Sequence, residues 1–118
     1  MIGLPSSVRI FLYAEPVDIR RGFDGLGGLV RAAGGDPLSG HLWVFLSKRR
    51  EHVKILGFDR GGFVIWHKRL EIGRFVFPSG PRSTTPLTLD SGQLALLLDG
   101  VDYSRVERPA RWEPKRAA

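Results

Sequence analysis

Three short apolar runs, HLWVFLS (41–47), HVKILGFD (52–59) and FVIWHKRL (63–70), follow one another with only KRRE and RGG between them. Loops of that size close antiparallel hairpins, so the simplest topology for the middle of the chain is a β-meander. Alternation along the third run puts Phe63, Ile65, His67 and Arg69 on one face and Val64, Trp66, Lys68 and Leu70 on the other. Neither set is wholly apolar, which predicts a sheet packed on one side and only partly covered on the other. The 15 glycines and 8 prolines argue in the same direction, because they cut the chain into short elements and exclude a bundle of long helices.

The flanking segments complete the expected fold. Val8 to Tyr13 is short, β-branched and aromatic and stops before Pro16, as a buried strand would. Asp18 can then cap a helix on which Ile19, Phe23, Leu26 and Val30 share a face, with Gly34 and Gly35 as its stop. Glycines 25, 27 and 28 weaken that helix and predict either close packing on the sheet or a broken first turn. Gly73 to Phe77 reads as a short edge, TPLTLD as an extended segment, and LALLLDG as a brief helix capped by Asp90 or Ser91 and closed by Gly100. The class is therefore α+β: an antiparallel meander of four or more strands, one main helix after the first strand and a short C-terminal helix. Phe11, Phe23, Leu26, Val44, Ile55, Leu94 and Leu97 are the expected core. A length of 118 residues suits one domain, placed at 1–104, with RVERPARWEPKRAA (105–118) as a basic, flexible extension.

Several function classes are disfavoured. The chain has no cysteine, and its histidines at 41, 52 and 67 match no ligand spacing, so neither a metal nor a cofactor is expected. Asp18, Asp59, Asp99 and Asp102 read as cap and turn residues, not as a converging carboxylate cluster. The serines lie in turns or at element ends, and no phosphate-loop or nucleophile-elbow pattern occurs. No enzyme activity is expected. The densest apolar run, Leu94 to Leu98, falls far short of the roughly 20 residues that span a bilayer. The first sixteen residues lack the pattern of a secretory signal, so a cytoplasmic setting is the expectation.

Charge is the most informative remaining property. The net value is +6, and the excess is concentrated: Lys48 to Phe75 carries eight basic residues against three acids, and 105–118 five against two. In a meander the start of the second run lies beside the end of the third, which gathers Lys48, Arg49 and Arg50 with Lys68 and Arg69 at one end of the sheet. Lys54 and Arg74 extend the group. Such a patch can hold nucleic-acid phosphates, and Trp43, Trp66 or Phe75 could stack bases beside it. The plainer reading makes the arginine-rich tip a solvated turn, the tryptophans core, and His67 a half-buried polar residue.

Taken in order, DIRRGFDGLGGLV, DPLSGHLWVF, KRREHVKIL, FDRGGFVIWHKRLEIGRF and LALLLDGVDY resemble the small accessory proteins of bacterial insertion sequences of family sixty-six. These are called TnpB in that family and are unrelated to the guide-RNA nucleases of the same name. The resemblance covers most of the chain from Val8 to Tyr103. It implies a component of a transposition system whose transposase is a separate protein, and it brings no catalytic residues with it. Gly57 and Phe58 stand where the family commonly has a larger aromatic pair, and Arg60 replaces a frequent glycine, which would loosen the second hairpin. Two roles are open: an accessory factor that binds DNA through the basic face, or an interaction module that binds the transposase or a sister subunit without touching DNA. A homo-oligomer is compatible with either.

Overall fold

In the computed structural model, residues 5, 7–78 and 85–105 are described. The three central runs form β2 (Leu42–Leu46), β3 (His52–Asp59) and β4 (Gly62–Arg69), antiparallel neighbours in one sheet. Val44 faces Ile55, and Ile55 in turn faces Trp66. The second hairpin is not loosened. Its pairing runs unbroken from His52↔Arg69 to Asp59↔Gly62 around a two-residue turn in which Arg60 and Gly61 both have positive φ, 49° and 80°. The space beside Gly57 is taken by neighbours, since a Cβ there would lie 3.0 Å from Leu42 and 3.2 Å from the Trp66 indole.

The sheet is mixed where an antiparallel one was expected. β1 (Ile10–Leu12) pairs with β2 in parallel, Ile10 with Leu42, because α1 (Phe23–Ala32) carries the chain across one face before it enters β2. After β4 the chain returns to the other side of β1 as β5 (Leu87–Leu89), antiparallel to it, giving the order β4-β3-β2-β1-β5. The helix α2 (Ser91–Leu98) follows, and a 3-10 turn occupies Tyr103–Arg105. β2, paired on both edges and covered on both faces, is buried at every residue of LWVFL.

Both faces of the sheet are packed, so the expectation of a single packed side is corrected. On one face Ile10, Leu12, Val44, Val53 and Ile55 meet Leu94 and Leu97 of α2, with Phe75 beneath the β2–β3 tip. On the other, Trp43, Phe45 and Leu56 meet Leu26 and Val30 of α1. β4 carries the longest open run, its second half, and β5 is exposed at Leu87 and Thr88.

Three further expectations shift. The first helix begins at Phe23 with Gly22 as its N-cap, not at Asp18. The Asp18 carboxylate instead accepts from the Arg20 N–H and guanidinium, closing a local turn that imitates a helix cap. Phe23 therefore sits at the first helical position and is 49% exposed, while Phe11 is only half-buried, its ring 4.9 Å from that of Trp43. The other expected core residues are buried. Gly73–Phe77 is no strand; the Phe75 N–H donates to the Arg50 carbonyl and the Phe75 ring is buried against the sheet. Of the expected extension 105–118, only Arg105 falls within the described residues.

The helix stops form as expected. Gly34, with φ 84°, lets Gly35 N–H reach the Val30 carbonyl, and Gly100, with φ 76°, lets Val101 N–H reach that of Leu96. Asp90 caps α2 reciprocally with Gln93. None of the glycines inside α1 makes a close approach to the sheet, and of the two alternatives the late start of α1 at Phe23 fits the broken first turn. Gly35, after the helix, does approach it: a Cβ there would overlap the Trp43 ring.

Candidate nucleic-acid interface

The β2–β3 tip carries Lys48, Arg49 and Arg50. Ser47 organises it: its hydroxyl accepts from the N–H groups of Glu51 and His52, and its carbonyl accepts from Arg50 N–H. Arg50 thereby takes a positive φ of 59° and is only half exposed, whereas Lys48 and Arg49 project into solvent. Because His52 faces Arg69 across β3 and β4, the far end of β4 does lie beside this tip.

The two faces then divide the expected set. Lys68 points to the α2 side, where its Nζ donates to the Leu98 carbonyl at 2.7 Å and caps the C-terminus of α2. Arg74 follows it, its carbonyl beside Gly100. Lys54 and Arg69 lie on the α1 side. Lys54 Nζ donates to the Arg21 carbonyl at 2.9 Å, and Arg69 pairs with Glu71 at 2.9 Å. The aromatic part of the expected site does not assemble, since Trp43 and Phe75 are buried; only Trp66, 51% exposed, is open, and it stands on the α2 side.

The α1 side gains residues that sequence reasoning missed. A parallel bridge from Val17 to Ser47, with Val17 N–H bonded to the Leu46 carbonyl, lays the segment before α1 along the basic tip. Arg20, Lys48 and Arg49 line one open cleft of about 390 Å³ together with Asp18, Glu51 and His52. The DIRR run was the available signal, but its position beside KRR depends on the parallel β1–β2 pair. Asp18 is held well below the usual carboxylate range, chiefly by hydrogen bonds from the Arg20 side chain and N–H, with Lys48 adding to the effect. His52 Nδ1 and His67 Nε2 lie 2.8 Å apart on this face. His67 is pushed below its ordinary value, first by burial and then by the positive charge of Lys54, by His52 and by Arg69. Among the described residues no group of three or more His, Cys, Asp or Glu side chains could hold a metal ion, and no helix is long and apolar enough to cross a membrane.

Comparison with known proteins agrees with the resemblance read in the sequence. No solved structure matches the chain. Two relatives from Sinorhizobium fredii, both named only as uncharacterised proteins, are similar over nearly their whole length. The protein y4jC is 36% identical over 119 residues, covering 100% of each chain, and y4hO is 32% identical over 116 residues, covering 96% of this chain and 97% of the relative. The family model described as IS66 Orf2 like protein matches residues 8–108, which takes in the sheet, both helices and the basic tip. The chain belongs to the IS66 Orf2-like family of insertion-sequence accessory proteins.

Proposed function

We propose that the protein supports transposition of its element by binding the nucleic-acid backbone through the α1 side of its sheet, without performing chemistry itself. The observation that carries this reading is the convergence of Arg20, Lys48 and Arg49 on one open cleft that His52 also lines. Contacts of this kind are made to phosphates and carry no base code, so they position the protein and leave sequence choice to a partner or to DNA shape. The cleft stays net positive despite its acids: Arg20 pairs with Asp18, and Lys48 and Arg49 outnumber Glu51.

Binding to a labelled duplex across a salt series tests it. Wild type should lose affinity steeply with salt, and the variant carrying Arg20→Ala, Lys48→Ala and Arg49→Ala should show a slope smaller by about 0.9 per lost contact. Equal binding by both proteins at every salt concentration overturns the reading. The second role, an interaction module that binds the transposase without DNA, is favoured by Trp66, a large aromatic half exposed outside the basic cleft. Capture of the transposase that survives nuclease treatment, with no salt-dependent DNA binding, would select it.

A further inference from the structure

The outer edge of β4 is the longest open hydrogen-bonding surface on the described molecule. β4 has eight residues, neighbours only β3, and contains neither a bulge nor a proline. Leu70 N–H bonds to the Glu51 carbonyl, which fixes the alternation: Gly62, Val64, Trp66 and Lys68 direct their main-chain groups at β3. Phe63, Ile65, His67 and Arg69 direct theirs outward, with no backbone partner among the described residues. Proteins that remain single guard such an edge with bulges, prolines or charges along its length. Here the charges occupy only the 67–69 end, while Phe63 to Trp66 is uncharged.

We propose that this edge is the interface of a homodimer, in which β4 pairs antiparallel with β4 of a second copy about a two-fold axis normal to the sheet. That symmetry keeps like faces together, so residues on the same side of the sheet must stand opposite one another. Centred on Trp66, the register sets Trp66 against the partner's Trp66 as a non-hydrogen-bonded pair, where side chains approach most closely. Ile65 then faces the partner's His67, Phe63 the partner's Arg69 and Val64 the partner's Lys68. Each basic end lands on an uncharged end, and no like charges oppose. Shifting the centre to Ile65 would carry Asp59 toward the partner's Glu71, an acid against an acid. The chosen register also covers two half-exposed indoles, and it joins the two α1 sides into one continuous face of a ten-stranded sheet. The proposal does not depend on DNA binding and is tested without DNA.

The chain has no cysteine, so Trp66→Cys introduces a unique thiol at the axis. Cα atoms of a non-hydrogen-bonded pair stand about 4.5 Å apart, within disulfide reach. Mild oxidation should convert this variant to a covalent dimer and leave Thr88→Cys, on the opposite edge of the sheet, without a covalent cross-link. By sedimentation equilibrium wild type should be a dimer. His67→Pro, which removes an outward N–H and no main-chain bond to β3, should raise its dissociation constant at least about tenfold; His67→Gln, which also breaks the ring contact with His52 but keeps the N–H, should not. Trp66→Lys and Trp66→Glu should each be monomeric, and a one-to-one mixture of them should recover the dimer. A monomeric wild type, or a dimer indifferent to all of these changes, overturns the proposal.

Discussion

His52 and His67 meet ring to ring across the β3–β4 pair, Nδ1 to Nε2 at 2.8 Å, with Lys54 and Arg69 on the same face of the sheet. That contact needs one ring nitrogen to donate and the other to accept. The His67 pKa, depressed first by burial and then by these neighbours, should be found below the ordinary 6.5 by NMR titration. The unfolded chain binds the proton more readily, so stability is complete above 6.5 and declines as pH falls toward the folded value. His67→Gln should remove that decline. A polyanion bound over the pair should raise the His67 pKa, so that DNA affinity increases on acidification.

Lys68 and Arg49 should separate stability from binding. Lys68→Ala removes the cation at the C-terminus of α2 and should cost about 0.5 kcal/mol in a denaturant titration while leaving the salt dependence of DNA binding unchanged. Arg49→Ala should do the reverse.

Two glycines should respond in opposite directions. Gly35→Ala drives a methyl group into the Trp43 ring and should destabilise by about 1–3 kcal/mol. Gly28→Ala points into open space within α1 and should stabilise by roughly 0.4–1 kcal/mol, chiefly by restricting the unfolded chain. Thermal melts of the two variants check the sign directly.

Position on α1 decides what its apolar residues are worth. Leu26→Ala empties a fully buried site and should cost about 2–5 kcal/mol, whereas Phe23→Ala, at the half-exposed start of the helix, should cost clearly less. A cost for Phe23→Ala equal to that of Leu26→Ala would show that the helix begins earlier than Phe23.

The meander was legible because its pairing is local. KRRE and RGG leave the flanking runs little choice but to fold back on each other, and the clustering of Lys48 to Arg50 with Arg69 comes with that register. The parallel β1–β2 pair was not legible from the same signals, since it depends on contacts between residues some thirty apart in the chain, such as Ile10 and Leu42. That one omission hid the contribution of Arg20 to the cleft. Asp18 misled for a chemical reason: a carboxylate that accepts from an N–H two residues on has the same sequence signature in a turn as at a helix start. The side of the sheet on which each cation works was equally hidden, because Lys68 is claimed by a carbonyl of α2 from another part of the chain.

The cluster beneath α2 joins the beginning of the chain to its last third: Ile10 and Leu12 are sealed only when Leu89, Leu94 and Leu97 arrive. During synthesis the hairpins can close as soon as Arg69 has emerged, yet one side of them stays greasy until α2 is made. A ribosome that stalls after β4, or a frameshift in the element beyond that point, releases a product with a formed sheet and a bare apolar underside. Such a product is a substrate for chaperones and proteases. Synthesis through Leu97 thus decides whether the second face of the sheet is closed, and a product ending after β4 should be cleared faster than one that includes α2.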